Sequence, residues 1–388
     1  MKKFFLTVKS FLKETDILLF SLCIITSAFG LLMVYSATRY TLKDGAHFSR
    51  EFIIMLLAVF LGVIAALFLS YFDYQVYTRF WPVIAVFCVL IMLALFKWGT
   101  GPSSRPDART WLSIGPINFQ PSELVKIGFI ITFGVHLDKL KEKINNIFSI
   151  LQLGAHAAVP IILVAATGDM GSALVFVVIA VVMMFVAGVH WGYFLGGIAL
   201  VGAATPLIWT YVLKQLQKDR FLALIYPDLY PDIIYQQQRG LNAIGAGGIT
   251  GQGLFKGAYT QAGAVPESQN DMIFSVVGEE LGFVGCIATL LLIVLITVRI
   301  IYVGKKSSEQ STNLICTGMA AMIIGQMIIN VGMCLMLLPV IGITLPFFSA
   351  GGSSNLCIYL GIGIVMSIYR HNCDTGAVNI RVYDSLKN

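Results

Sequence analysis

The chain has 388 residues and a formal net charge of +6. Because 57% of its residues are apolar and 12% are charged, the composition indicates a protein that lies in a lipid bilayer. A soluble enzyme and a disordered chain are both excluded, since each needs a far more polar chain. The positive charges form no basic block, so nucleic acid is not expected as a partner.

Apolar stretches long enough to cross about 30 Å of hydrocarbon recur along the chain. They predict an all-α, polytopic integral membrane protein with ten transmembrane helices, near residues 16–36, 52–71, 80–97, 120–137, 148–166, 170–188, 190–213, 281–303, 314–337 and 346–369. An even number of spans puts both termini on one side. Lysine clusters before the first span and after the fourth and eighth mark that side as cytoplasmic by the positive-inside rule.

The whole chain, residues 1–388, is predicted to be one membrane domain with short cytoplasmic tails, 1–15 and 370–388. One long loop, 214–270, is predicted on the opposite, extracytoplasmic side. It begins polar and becomes glycine-rich, and a connection of this length in a compact membrane protein is a functional candidate. Its glycines lack the GK[ST] pattern of a phosphate-binding loop, so we expect them to allow close packing rather than nucleotide binding.

An ionisable residue within a membrane span is a site hypothesis by default, because burying a charge there is costly. In FQPSELVKI, Glu123 and Lys126 are three residues apart and therefore on one helix face. They are interpreted either as a self-neutralising pair that stabilises the bundle or as the wall of a cavity for a charged substrate. Asp169, at the start of the sixth span, is either a helix cap or a second polar group of that cavity.

The segment 267–285 combines a polar loop with an amphipathic helix. Asp271, Ser275, Gly278 and Glu279 are spaced to share one polar face. Such a helix is expected at the non-cytoplasmic surface, where it would present Asp271 to the cavity. A solvated surface carboxylate is the alternative, whereas burial under the long loop would suit Asp271 to accept a proton.

Near the last span, LPFFSAGGSS places Gly351 and Gly352 between Ser349 and Ser353. Small residues and hydroxyls of this kind allow close helix packing with hydrogen bonds across the contact. Packing alone or a polar substrate contact would each account for the two serines. The seven cysteines and five histidines show no metal-binding spacing, and the metal content stays open.

Several longer motifs occur along the chain in a fixed order: VYSA (34–37), ARTW (108–111), FQPSEL (119–124), AIGAGG (243–248), GEELGF (278–283) and LPFFSAGGSS (345–354). Together they make the chain similar to the SEDS family of shape, elongation, division and sporulation proteins, typified by RodA and FtsW. The resemblance runs from about Asp16 to Ile368. The family's members are ten-span glycosyltransferases of the bacterial plasma membrane that polymerise lipid II, with a class B penicillin-binding protein that cross-links the product.

The resemblance also implies roles for particular residues. The family's essential aspartate corresponds to Asp271, and its arginine before tryptophan corresponds to Arg109. Glu123 and Lys126 correspond to cavity residues, and Asp169 corresponds to an acidic residue in the turn between the fifth and sixth spans. The chain departs from the family pattern at Thr110, Arg239, Gly240 and Ala350, and these changes are expected to alter loop packing or substrate contacts.

The expected reaction joins two lipid II molecules. Asp271 is expected to take the proton of the acceptor hydroxyl, while Arg109 and Lys126 neutralise the departing diphosphate. Ser275, Glu279, Ser349 and Ser353 are further substrate-binding candidates. A magnesium or manganese ion could share the charge neutralisation. A single displacement at the donor sugar predicts inversion at its anomeric carbon.

Two other functions remain open from the sequence. A lipid II transporter would also line a cavity with charged residues, although no inverted repeat is visible in the spans. A structural scaffold would leave the paired charges without a role. Within the resembled family, the short tails favour an elongation-type, RodA-like protein for cell shape over a division or sporulation member.

Overall fold

The computed structural model describes residues 15–42, 45–101, 108–115 and 117–385. In these ranges the chain is largely helical and contains one small antiparallel sheet. Its helices are α1 (Ile17–Thr38), α2 (Arg50–Leu69), α3 (Tyr74–Arg79), α4 (Trp81–Trp98), α5 (Pro121–Lys139), α6 (Ile147–Ala166), α7 (Met170–Val186), α8 (Trp191–Leu207), α9 (Gln215–Ile225), α10 (Pro231–Gly247), α11 (Ala258–Gln261), α12 (Ile273–Lys306), α13 (Gln310–Cys334) and α14 (Gly352–Ser385). The two strands are β1 (Leu112–Ile114) and β2 (Ile117–Phe119).

All ten predicted spans coincide with helices, which confirms the all-α membrane fold. Eight of the described helices are long and apolar enough to cross a bilayer. The remaining two spans are α5 and α7. Charged residues lie near both ends of α5, and α7 has only 17 residues. A criterion of helix length and hydropathy alone therefore does not identify these two helices as spans, although both belong to the bundle.

Helix α13 lies at the centre of the bundle and is almost wholly buried. It packs against α5, α7 and α12, while α14 packs chiefly against α2. Helix α8 lies at the periphery, since none of its residues is buried. The polar side chains on α5, α13 and α14 are therefore enclosed by other helices instead of facing lipid.

The segment 214–270, predicted as a long loop, connects two membrane helices but is largely helical itself. It contains α9, α10, α11 and a short 3₁₀ turn at Pro227–Leu229. Helix α10 packs along the first part of α12. The side chain of Gln237 anchors it by donating to the carbonyls of Met333 and Leu338, each at 2.8 Å.

Helix α12 is broken at Gly282, where φ is 65° and ψ is −162°. The predicted amphipathic helix thus ends where the predicted eighth span begins. The glycine-rich turn 248–253 docks into the break: the amides of Gln252 and Gly253 bond the carbonyls of Glu279 and Glu280, each at 3.0 Å. Backbone groups freed by the break are satisfied in this way, as a chain at membrane depth requires.

The predicted tails are described only in part. Apart from Thr15, the N-terminal tail (1–15) lies outside the described residues, together with its lysines. The last helix continues to Ser385, so the backbone of the predicted C-terminal tail (370–388) is helical as far as that residue.

Candidate functional site

Asp271 lies on the turn that leads into α12, at the end of the bundle where α5, α7 and α14 also begin, and it is half-buried. Three successive backbone carbonyls, those of residues 269 to 271, accept hydrogen bonds from other segments of the chain. The amide of Ala350 bonds the carbonyl of Gln269 at 2.9 Å, and the hydroxyl of Ser349 donates to the carbonyl of Asn270 at 2.8 Å. The side chain of Asn330 donates to the carbonyl of Asp271 itself at 2.9 Å.

Asn330 is fully buried in α13, and its amide group bridges two chain segments. Besides the bond to Asp271, it donates to the carbonyl of Ile343 at 2.7 Å. The Sγ atom of Cys334, one turn further along α13, lies 3.5 Å from the Asp271 carbonyl. The backbone of Asp271 is therefore attached to the centre of the bundle.

Ser349 and Ser353 make different contacts. Ser349 is buried, and its hydroxyl accepts from the amide of Leu345 at 2.8 Å while it donates to Asn270. Ser353, in the first turn of α14, accepts from the amide of Gln120 at 3.0 Å. Ser349 thus fixes the turn that carries Asp271, and Ser353 joins the start of α14 to the start of α5.

Asp169 caps α7, and it also joins α7 to α5. One carboxylate oxygen accepts from the amide of Ser172 at 3.0 Å. The other accepts from the side chains of Gln120, at 2.8 Å, and Ser122, at 3.1 Å. Asp169 is therefore a helix cap, as one of its two interpretations predicted. Its carboxylate also belongs to a polar cluster between the starts of α5 and α7.

Arg109 is exposed beside the same turn. Its backbone amide bonds the carbonyl of Thr167 at 2.9 Å, and its guanidinium donates to the carbonyl of Phe96 at the end of α4. The neighbouring residue Ala108 contacts Gly168, which precedes Asp169. These contacts place Arg109 at the rim of the cluster formed by α5 and α7.

Glu123 and Lys126 form a buried ion pair on α5. The Lys126 ammonium lies 2.8 Å from a Glu123 oxygen, and their side chains are 0% and 6% exposed. Each charge compensates the other, as expected for a self-neutralising pair that stabilises the bundle. The pair begins one turn below Gln120 and therefore lines the inner side of the same cluster.

The starts of three helices converge at this point. Gln120, immediately before α5, bonds both Ser353 on α14 and Asp169 at the start of α7. The N-terminal end of a helix carries a partial positive charge from its aligned peptide dipoles. Arg109 lies beside these helix ends, whereas the Lys126 charge is compensated by Glu123. Helix N-terminal ends of this kind suit a ligand that bears phosphate groups.

The structure does not place Ser275 and Glu279 in this cluster. Both are fully buried, whereas the polar face of their helix was expected at the surface. The carboxylate of Glu279 accepts from the amides of Tyr259 and Thr260, at 2.6 and 2.9 Å, and from the Thr260 hydroxyl at 2.6 Å. The polar face is covered by α10 and α11: Gly240 of α10 lies against Ser275, and α11 supplies the donors that the Glu279 carboxylate needs.

The neighbouring carboxylate of Glu280 has a similar function in packing. It accepts from the hydroxyl of Ser36 at 2.6 Å, from the side chain of Gln261 at 3.0 Å and from the amide of Phe255 at 3.1 Å. These bonds join the VYSA and GEELGF motifs to Phe255 and to α11, which follow the glycine-rich turn. The three hydrogen bonds to Glu280 hold in place the segment that covers α12.

Three residues that hold the site were missed from the sequence: Gln120, Glu280 and Asn330. Gln120 lies inside FQPSEL and Glu280 lies inside GEELGF, but the predicted site residues of these motifs were their neighbours. Asn330 stands in an apolar span, and a buried amide in such a span is itself a signal of function. That signal could have identified it.

The described departures have clear surroundings. Arg239 lies over the ring of Tyr235 at 5.1 Å, and Thr110 is buried and bonds the carbonyl of Thr100. A Cβ atom on Gly240 would lie 2.8 Å from the Ser275 hydroxyl, so this glycine allows α10 and α12 to approach closely. Ala350 contacts the Asp271 turn through its backbone, which any side chain permits.

No group of three or more His, Cys, Asp or Glu side chains is placed to hold a metal ion among the residues that the structure describes. The half-buried His136 and His156 are paired with each other through Nδ1 atoms 2.9 Å apart. The residues therefore do not fit a protein-held metal site, and no chemical step is assigned to one.

Comparison with known proteins yields a consistent result. A family model described as cell cycle protein, for FtsW, RodA and SpoVE, matches residues 16–374. The chain is 29% identical over 314 residues to the peptidoglycan glycosyltransferase MrdB of Escherichia coli (strain K12), covering 80% of this chain and 83% of that protein. It is 31% identical over 372 residues to the stage V sporulation protein E of Bacillus subtilis (strain 168), covering 92% of this chain and 97% of that protein.

The fold also matches a solved chain from work on how a peptidoglycan synthase complex coordinates polymerization and crosslinking. The TM-score is 0.79 at 26% sequence identity, and the match covers 92% of this chain and 98% of that chain.

Proposed function

This chain belongs to the FtsW, RodA and SpoVE family, and from that premise we propose that it polymerises lipid II into glycan strands with Asp271 as the catalytic base. Its activity is that of a peptidoglycan glycosyltransferase in cell-wall synthesis, as in the relative MrdB. The observation that supports the assignment of Asp271 is that its turn accepts hydrogen bonds from Ser349 and Ala350, which directly precede the start of α14.

The acceptor's sugar hydroxyl attacks the anomeric carbon of the donor as Asp271 takes the hydroxyl proton. A general base needs a fixed position within hydrogen-bond reach of the proton that it removes. The bonds from Ser349 and Asn330 supply that fixed position. One displacement forms the new glycosidic bond and releases the lipid diphosphate, so the anomeric configuration inverts.

The departing diphosphate needs positive charge that is already oriented before the reaction. Arg109 at the rim, Lys126 inside and the converging starts of α5, α7 and α14 provide it. Asp169 and Ser353 hold these helix starts together, and Glu123 pairs with Lys126 within α5. A magnesium or manganese ion in this reaction would bind mainly through the substrate's own phosphates.

The orientation follows from the same proposal. The Asp271 end of the bundle faces the extracytoplasmic side of the plasma membrane, and both termini face the cytoplasm, in agreement with the lysine clusters. The fold match to a chain of a peptidoglycan synthase complex supports assembly with a class B penicillin-binding protein, which would cross-link the strands.

The test uses the full-length chain purified in detergent, with lipid II as the only substrate. Asp271→Asn should lower polymer formation at least about a hundredfold, which is the usual contribution of a general base. Asp228→Asn is the matched control, because Asp228 is an exposed carboxylate in the segment 214–270. Polymer made at the normal rate by Asp271→Asn would remove this residue from the mechanism.

The same assay separates the enzyme from a lipid II transporter. A transporter leaves its substrate chemically unchanged, whereas an enzyme makes polymer in detergent without a membrane to cross. Failure of the unaltered chain, alone and with its transpeptidase partner, to make polymer would reject the proposed function.

A further inference from the structure

A pocket of about 330 Å³, lined by both polar and apolar side chains, lies apart from the cluster of helix starts. Arg220 on α9 and Asp232, Tyr235 and Gln236 on α10 form much of its wall. Pro266, which lies on the chain leading to the Asp271 turn, forms part of its edge. The pocket is thus built mainly from the segment 214–270, and Val340 completes its lining.

One polar atom in this wall lacks a partner. The side-chain nitrogen of Gln236 is buried and makes no hydrogen bond to any residue that the structure describes. Its neighbour Gln237, by contrast, uses its side-chain nitrogen for the two bonds that anchor α10. Leaving a buried amide unsatisfied costs on the order of 1–3 kcal/mol, so a ligand that offers a carbonyl or hydroxyl oxygen would bind favourably there.

The charges of the pocket exclude two classes of ligand. Arg220 and Asp232 contribute opposite formal charges, and the Arg220 guanidinium already donates to the carbonyl of Val340 at 2.7 Å. A diphosphate would meet the Asp232 carboxylate, and a lipid chain would bury polar walls without hydrogen bonds. A neutral ligand rich in hydroxyl and amide groups matches the carboxylate, guanidinium, amide and phenol of this wall.

We infer that this pocket is a binding subsite for N-acetylated sugar units of the glycan strand, an inference that rests on the proposed function. Gln237 fastens α10 to the end of α13, and Asn330 near that end holds Asp271. The pocket and the catalytic turn therefore lie on two sides of one helix end. A strand that leaves Asp271 reaches the pocket, which holds it between successive additions and so increases its final length.

The probe is a neutral tetrasaccharide of N-acetylglucosamine, and its binding to the full-length chain is measured by calorimetry. Gln236→Ala should weaken binding about threefold to tenfold, the effect of one lost neutral hydrogen bond. Gln238→Ala is the matched control, since Gln238 is exposed on the same helix and does not line the pocket. Gln236→Ala should also make shorter strands from lipid II than Gln238→Ala does.

Equal tetrasaccharide affinity in the unaltered chain and Gln236→Ala would overturn the inference. So would binding of the free stem peptide in place of the sugar. If Gln236→Ala fails to fold, as judged by its thermal melting, Asp232→Ala decides by the same criterion, because Asp232 is exposed on the first turn of α10. Binding is also measured with Asp271→Asn. This variant should bind the tetrasaccharide normally but should not polymerise lipid II, so a failure of the subsite and a failure of the catalytic assignment are distinguished.

Discussion

The side chain of Asn330 donates a hydrogen bond to the backbone carbonyl of Asp271 over 2.9 Å, although the two residues are 59 positions apart in the chain. The same amide group bonds the carbonyl of Ile343 at 2.7 Å. One buried side chain thus holds the proposed base against both the central helix α13 and the segment that leads to α14.

Replacing Asn330 should therefore impair catalysis more than it impairs substrate binding. Asn330→Leu keeps the size of the side chain but leaves two carbonyls without a donor, which costs on the order of 1–3 kcal/mol for each buried group. The resulting shift of the Asp271 turn should lower kcat about tenfold to a hundredfold, with a smaller change in KM for lipid II. Steady-state polymerisation kinetics measure both quantities.

Gln326→Leu is the matched control for this variant. Gln326 lies one turn earlier on α13, is also buried, and makes no side-chain hydrogen bond to a residue that the structure describes. Its replacement perturbs the same helix without releasing Asp271. An equal loss of kcat in both variants would show that Asn330 has only a structural role in α13.

The buried pair of Glu123 and Lys126 predicts a difference between single and double substitution. Glu123→Gln leaves the Lys126 charge uncompensated and should destabilise the chain by about 3–5 kcal/mol. The double variant Glu123→Gln with Lys126→Met removes both charges and should recover most of that loss. Unfolding in detergent, followed by denaturant titration, gives the free energies.

Activity then separates the two interpretations of this pair. If Lys126 neutralises the diphosphate, the stable double variant should polymerise lipid II at least about tenfold more slowly. Normal activity of the double variant would leave the pair with a packing role alone. Lys141→Met is a surface control: its pair with Asp138 spans 3.5 Å and is solvated, so stability should change by less than about 1 kcal/mol.

Glu280 is predicted to stabilise the covering segment without taking part in chemistry. Glu280→Gln replaces one accepting oxygen by a donor that faces Ser36 and Gln261 or Phe255. Hydrogen bonds to a charged group contribute about 1.5–3 kcal/mol each, so the free energy of unfolding should fall by at least about 2 kcal/mol. The exposed residue Glu142 provides the control, and Glu142→Gln should change stability by less than about 0.5 kcal/mol.

The break in α12 predicts that Gly282 tolerates no side chain. Its backbone conformation is accessible almost only to glycine, and a Cβ atom would lie 2.3 Å from the amide nitrogen of Gly251. Gly282→Ala should therefore destabilise the chain by about 3 kcal/mol or more, measured as a lower melting temperature. Gly245→Ala should be neutral or stabilising by up to about 1 kcal/mol, because that helical glycine has open space around its Cβ position.

Much of the fold could be predicted from the sequence because the bilayer imposes a strong rule on composition. Each span needs a long apolar stretch, and these stretches identified even α5 and α7, where charge or length weakens the signal. Pro121 at the start of α5 and Gly282 at the break in α12 favour the observed backbone conformations by their own residue type, without long-range contacts. The motifs also identified the family before any contact was known.

The tertiary structure alone decided which polar groups meet. Asp271 and Glu279 share a predicted helix face, yet Asp271 lies half-buried on the turn before α12 and Glu279 is buried under α11. Asn330 acquires its role only because α13 passes beside a turn 59 residues away in sequence. Helical periodicity determines which side chains share a face, but the partner that covers that face depends on long-range packing, since hydrogen-bond donors come from distant segments of the chain.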